Sequence, residues 1–344
     1  MDWNVILPLG SSLLSFVFAA FLLDQWLERR RSYQLVWAFG MLWYGLSAGT
    51  EFLGGAFGWS EPVYRAWYLI GAIYVASWLG LGTVLLLGRT RFGYAFALSL
   101  LLAALFTFLS WRRYDYPDSG MSPYLYTAIG AVAAVAIVVQ TYRQQAWPRI
   151  ATLLVVGGSV LAVPLVLLAP LAAPGWAVDP ATGIPTGELF PGYVRLLSPF
   201  FNITGAFALI FGALYSTYVF MPKVRIVRYS LQRGQPLGRF MANAVKGVVG
   251  VPVNFVASVP GTVAALLKGE LNSRVPATIL IAIGAFIPSL TSGLSRFGET
   301  TGFFLGELLG VVFLFAGFLV SIEVFREIRI PFTRKVLHTR RVEL

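Results

Sequence analysis

The feature that most restricts this chain is a recurrence of apolar stretches long enough to cross a bilayer. A helix rising about 1.5 Å per residue needs ~20 mostly apolar residues to span ~30 Å of hydrocarbon. Nine such stretches can be read, at 4–27, 33–57, 63–87, 92–111, 122–142, 150–172, 195–220, 276–295 and 301–325. Composition agrees: 57% of the 344 residues are hydrophobic and only 12% are charged, about half the charge of a soluble domain. Too few polar side chains remain to cover a water-facing globule. The expected fold class is all-α, a polytopic transmembrane helix bundle of about nine spans.

Charge orients the bundle. The first apolar stretch follows Met1-Asp2-Trp3-Asn4, which is not basic, and the positive charges come after it, in Glu28-Arg29-Arg30-Arg31. That order reads as an anchor with its N-terminus outside rather than a cleavable signal peptide. With nine crossings, all but five of the 26 lysines and arginines fall on alternate connections and the C-terminal tail. The five exceptions are Arg65, Arg112, Arg113, Arg195 and Arg296. The asymmetry follows the positive-inside rule and places the C-terminus in the cytoplasm of a bacterial inner membrane. The chain then divides into a seven-helix transmembrane part (1–222), a basic amphipathic cytosolic segment (223–275), two further transmembrane helices (276–325) and a basic tail (326–344).

The segment 223–275 tests the count. Val251 to Lys268 is apolar, but Pro252, Asn254, Pro260 and Gly261 interrupt it, and a crossing there would place the basic tail outside. Leu237, Phe240, Met241, Ala244, Val245 and Val248 recur on one helical face, with Arg239 and Lys246 off it. Val263, Leu266, Leu267 and Leu271 repeat the pattern opposite Lys268. Two environments fit such short amphipathic cytosolic-face helices: the anionic headgroup layer, met through Arg239, Lys246 and Lys268, or the inner ends of the bundle. The outer loop 174–194 is rich in proline and glycine and reads as a turn-rich cap. The stripes Gly302/Gly306/Gly310, Ala72/Ala76/Gly80 and Ala208/Gly212/Ser216 read as close helix contacts. Within one chain they build the bundle; between chains they would build a homo-oligomer.

Acidic groups inside hydrocarbon need an explanation. Glu51 and Glu307 lie in spans, below the outer surface. Arg65, across a short outer loop, is the natural ion-pair partner for Glu51, and Arg296 for Glu307. A sharper reading uses the aromatics Trp43, Tyr44, Tyr74 and Trp78, which lie too deep for an interfacial belt and whose polar atoms need acceptors. With Asn202 they outline an outward-facing amphipathic cavity between helices one, two, three and seven, suited to a small organic ligand or a lipid headgroup.

Other chemistries are poorly served. Cysteine is absent and the lone histidine, His338, lies in the tail, so neither a thiol nucleophile nor a histidine metal centre is expected. No Gly-x-Ser-x-Gly elbow or phosphate loop occurs. Acid–base pairs such as Glu51 with Glu61, or Asp115 with Asp118, remain conceivable, yet an enzyme is the least favoured class. No cofactor, metal or nucleic-acid partner is expected.

The stretches Tyr64–Ala72 and Trp78–Thr83, together with Gly205–Ser216 and Pro276–Gly298, resemble a family of uncharacterised bacterial multi-pass membrane proteins. That resemblance implies a compact bundle in which 223–275 is an insertion, and it carries no activity. The outside N-terminus, the Arg29–Arg31 run and the tryptophan-bearing second helix are similar to the seven-helix sensor region of membrane histidine kinases, although no kinase domain follows. The function expected is ligand binding as a transporter or receptor. A non-enzymatic scaffold or partner subunit with a lipid-binding cytosolic face is the alternative.

Overall fold

In a computed structural model, the chain is described at residues 2–114, 116–172, 178, 183, 185, 187–230, 236–292, 300–321, 328–329, 331–333 and 336–337. Ten long helices lie among these residues: α1 (Trp3–Arg29), α2 (Ser32–Phe57), α3 (Glu61–Leu86), α4 (Gly93–Tyr114), α5 (Ser122–Tyr142), α6 (Pro148–Leu167), α7 (Gly192–Phe220), α8 (Leu237–Leu267), α9 (Arg274–Thr291) and α10 (Thr300–Val320). A two-residue antiparallel pair, 328–329 with 336–337, is the only strand pairing among the described residues apart from an isolated bridge. The protein is therefore an all-α, multi-pass membrane bundle.

Local sequence explains the joints. The Asp2 side chain caps α1 by accepting from the Asn4 amide. Arg30, in a left-handed conformation (φ 52°), ends it. Gly58 (φ 91°) closes α2, and proline occupies the first turns of α3, α5 and α6. Wide π turns at Ile70–Tyr74 in α3 and Leu153–Gly157 in α6 locally rotate the faces of those helices.

The helices form two fused rings. The first runs α1–α2–α3–α7–α9–α10 and returns to α1; the second runs α3–α7–α4–α5–α6 and returns to α3. Each ring encloses its own core. Phe18, Met41, Leu79, Leu209 and Leu314 fill the first; Phe96, Leu100, Ile137, Trp147 and Phe200 are among those filling the second. The shared pair, α3 and α7, meets backbone to backbone. A Cβ on Gly80 would lie 2.6 Å from the Gly205 carbonyl oxygen, and one on Gly205 would collide with the Ala76 carbonyl. Small residues permit this approach where apolar side chains have no hydrophobic reason to associate. The other stripes also work within the chain: Gly310 abuts Pro288 and the Gly284 carbonyl of α9, and Gly306 abuts Thr291.

Cross-contacts assign each connection to an end of the bundle. At the near end, where α1 begins, Thr301 donates to the Asn4 side-chain oxygen (3.0 Å) and the Gly192 amide donates to the Pro117 carbonyl (2.6 Å). At the far end, Gln34 donates to Gln25 (3.3 Å) and the Phe332 amide to Asp24 (3.0 Å).

By length and apolarity nine helices qualify as membrane spans, a set that includes α8 and omits α2. Geometry revises that membership without changing the number. α2 carries Gln34, Ser47 and Glu51, all buried inside the bundle. It packs along both α1 and α3. α8 begins and ends at the far end. Phe240 sits against Tyr94 at the start of α4 and Tyr142 at the end of α5. Arg274, just beyond α8, stacks on Phe220 at the end of α7, and Thr278 bonds Thr217 (2.8 Å). A straight helix cannot cross and return, so α8 lies along the far face.

α8 corrects the expectation of two short helices, because it runs 31 residues without a break, through Pro252 and Pro260. The carbonyls these prolines leave without a donor belong to Val248 and Val256, which are 70% and 67% exposed. Asn254 clamps the helix rather than breaking it. Its Oδ1 accepts from the Ile226 and Val227 amides (2.8 and 2.9 Å), and its Nδ2 donates to the Val227 carbonyl (2.9 Å). The Val224 amide donates to Ser258 (2.9 Å).

The α3–α7 contact supplies a test of the packing. Gly205→Ala should destabilise the purified protein by roughly 1–3 kcal/mol through overpacking, whereas Gly261→Ala, with nothing within 4 Å, should be far milder. Thermal unfolding in detergent compares the two, and equal losses would contradict the backbone contact.

Candidate functional site

The first ring has a polar half and an apolar half. Glu51 lies six residues before the end of α2 and Glu307 seven after the start of α10. Both are therefore about 9–10 Å inside the near end. Their carboxyl groups lie within interaction reach of each other, an approach in which a proton on one of them would join the two. Trp67 donates its indole N–H to Glu51 Oε1 (2.9 Å). Tyr44 donates its hydroxyl to the Glu307 main-chain carbonyl (2.9 Å), tying α2 to α10 a second time. Glu51 is 3% exposed. Glu51 Oε2 and Glu307 Oε2 are buried and receive no donor from any other described residue.

This arrangement corrects the expected Glu51–Arg65 ion pair. Arg65 instead holds Glu61, one turn earlier on its own helix, with Nη2 2.7 Å and Nε 2.8 Å from Oε1. Its Nη1 donates to the Val166 carbonyl at the end of α6 (2.6 Å), and its guanidinium lies over the Phe190 ring. Arg65 therefore ties α3 to α6 under an aromatic cap in which Tyr64 and Tyr68 both pack on Phe190. The proposed partner of Glu307, Arg296, lies outside the described residues, as does Asp115. Glu61, held by Arg65, is not brought together with Glu51 as an acid–base pair.

The deep aromatics divide between the rings. Tyr44 belongs to the acidic site. Trp43, Tyr74 and Trp78 instead cluster with one another, at ring separations of 5.3 and 6.2 Å. Tyr74 donates to the Ser159 carbonyl (2.8 Å) and Trp78 to the Ser159 hydroxyl (3.1 Å), so both are turned toward α6 in the second ring. Asn202 is half-buried on α7 and is not among the bonded partners of Glu51 or Glu307. Trp67, which the sequence reading left out, is the donor that Glu51 uses.

The open space also differs in place from the cavity expected beside Glu51. A narrow crevice of about 60 Å³ lies in the far half of the first ring, lined by residues of all six of its helices, among them Phe18, Met41, Leu79, Ala213, Thr278 and Leu314. Its lining is almost wholly apolar. Met41 and Leu314 lie ten and seven residues along their helices from Glu51 and Glu307, or roughly 15 and 10 Å. Acids and crevice thus occupy successive levels of one ring.

On the far face, Arg239, Lys246 and Lys268 are all exposed on α8. So are Val245, Val248, Val256, Val263 and Leu267, while Asn254, Ser258 and Thr262 are buried beneath them. The helix is inverted relative to a soluble one, with the uncharged polar residues Asn254, Ser258 and Thr262 inside and valines and basic residues outside.

Among the described residues no group of three or more histidine, cysteine, aspartate or glutamate side chains is placed to hold a metal ion. Comparison with protein-family models, curated proteins and solved structures finds no match. The arrangement therefore has to be read on its own chemistry: a buried two-carboxyl site able to hold or release a proton, above an apolar crevice, in one helical ring.

Proposed function

We propose that the protein binds a small organic or lipid-like molecule in the first ring, as a transporter or receptor, with the near end outside and the far end in the cytoplasm of a bacterial inner membrane. The observation that carries this reading is the stacking of a buried acid pair and an apolar crevice within a single ring. Ionisable groups held in hydrocarbon generally mark a site. The orientation rests on the basic residues gathered on the far-end connections. Native mass spectrometry of the protein in mild detergent should show a retained lipid or small-molecule adduct, and Ala213→Phe, which fills the crevice, should abolish it. An unliganded wild type, or an adduct that survives the substitution, would reject the reading.

A second reading, anchorage of the far face on anionic lipid, is favoured by the valine-rich outer surface of α8 and its exposed basic residues. An inward-lying polar side with apolar and basic residues outside suits a helix resting in a headgroup layer. Because the chain has no native cysteine, Val248→Cys can carry an environment-sensitive fluorophore at one place. In vesicles containing phosphatidylglycerol the probe should emit to the blue of its position in lipid-free detergent-solubilised protein, and Arg239→Glu with Lys246→Glu and Lys268→Glu should weaken that shift. Emission indifferent to the anionic lipid would contradict anchorage.

A further inference from the structure

Two serines of the first ring, one turn apart on α1, hold buried hydroxyls that no described residue satisfies, as does Thr291 at the end of α9. Ser11 and Ser15 on α1 are each 0% exposed, and neither hydroxyl has a hydrogen-bond partner. Elsewhere hydroxyls satisfy themselves by donating to the carbonyl four residues back: Ser77, Thr83, Thr204, Thr217 and Ser289 all do so. That local bond is the default for a hydroxyl within a helix in hydrocarbon. Its absence at two successive turns of α1 requires another explanation.

Their direction supplies one. Ser11, Ser15, Phe18 and Leu22 follow the spacing i, i+4, i+7, i+11, which is one helical face. Phe18 and Leu22 line the crevice, so the serines point toward the same ring axis, nearer the start of α1. Neighbouring faces agree: Ser12 donates to the Gly45 carbonyl of α2 (2.8 Å), and Gly10 abuts Leu308 of α10. The Ser11–Ser15 face lies between these two contacts. Ser11 and Ser15 lie about 12 and 18 Å along α1 from the near end. Glu51 and Glu307 lie at about 9–10 Å and Tyr44 at about 20 Å on the same scale. Of the buried oxygens in this ring that no described donor reaches, four thus face one axis: Glu51 Oε2, Glu307 Oε2, Ser11 Oγ and, one turn deeper, Ser15 Oγ.

We propose that these four oxygens form a site for a monovalent alkali-metal cation, which enters in exchange for the proton the two carboxyls share. Hard cations take oxygen ligands, and a carboxylate–hydroxyl set supplies only those. Charge selects a monovalent ion. The protonated pair carries one proton and one negative charge; with the proton released and one M⁺ bound, two carboxylates and one cation again sum to one negative charge. A divalent ion would change the buried charge by one and would find only four side-chain oxygens, against the six to eight that calcium takes. Tyr44 is the other titratable group facing the pair, from α2, and its hydroxyl is committed to the Glu307 carbonyl. On α3, Arg65 and Glu61 engage each other.

This inference rests on the first ring being a binding site but not on the organic ligand proposed for the crevice, and its test separates the two. The purified full-length protein is melted in sodium chloride and in choline chloride at equal ionic strength, at mildly acidic and mildly alkaline pH. Sodium should raise the melting temperature over choline, and by more at alkaline pH, where protons compete less. Glu51→Gln and the Ser11→Ala/Ser15→Ala double variant should each lose the sodium shift while keeping the helical content of the wild type. If either variant fails to fold, proton release from the wild type on adding sodium chloride in weak buffer reads the same exchange. Identical melting in both salts without proton release, or a sodium shift that persists in Glu51→Gln, would overturn the site. An adduct bound in the crevice of a sodium-indifferent protein would overturn the cation site alone.

Discussion

Hydrocarbon offers a polar group no partner, and most of this structure follows from that constraint. Each buried hydroxyl, indole or carboxyl must find its hydrogen bond within the bundle or go without at a cost of several kcal/mol. Ser77, Thr83, Thr204 and Thr217 meet the demand locally, through the preceding turn. Trp37 and Trp78 reach across helices to the Leu79 carbonyl and the Ser159 hydroxyl, and Tyr126 reaches the Tyr193 carbonyl. The acids are the most demanding groups. Glu51 and Glu307 answer the demand by meeting each other, so that α10 must close on α2 through the ring.

The same constraint separates the two rings by role. The second ring is packed with large aromatic and aliphatic side chains and its seams are tied by tyrosine and tryptophan. The first is closed by helices far apart in sequence, holds the crevice, and contains the acids. Its joint with the second ring, the bare backbone contact of Gly80 with Gly205, leaves no slack for a side chain. A site on the first ring therefore sits against a rigid neighbour, which suits a ligand site supported by the fold rather than by loops.

What could be read from the sequence was what depends on local pattern. Apolar length and charge alternation marked nine crossings and set aside 251–268 despite its apolarity; α8, with both ends at the far end of the bundle, shows why composition alone misjudges that stretch. Glu51 and Glu307 stood out because carboxyls in apolar stretches are costly wherever they fall. Their partners were not legible. Arg65 is close to Glu51 in the chain, and proximity suggests a pair, but Glu61 on its own helix and the end of α6 give Arg65 other commitments. Glu307 is 256 residues away from Glu51, and only closure of the ring joins them. Trp43, Tyr74 and Trp78 were misassigned for a related reason: depth in a span is readable from sequence, whereas which neighbour a face meets is not. Pro252 and Pro260 looked like breaks because local pattern does not show that the residues they deprive lie on the outer surface.

Joining of the two acids across the ring is tested most directly by bridging their positions in this naturally cysteine-free chain. Glu51→Cys with Glu307→Cys, treated in membranes with a short thiol-to-thiol reagent, should become covalently linked, as shown by an intact chain after cleavage at a protease site inserted between α7 and α8. Glu51→Cys with Arg65→Cys, given a cleavage site in the 58–60 connection, should remain unlinked. The opposite result, linkage of 51 to 65 and none of 51 to 307, would contradict the paired acids and the ring they close.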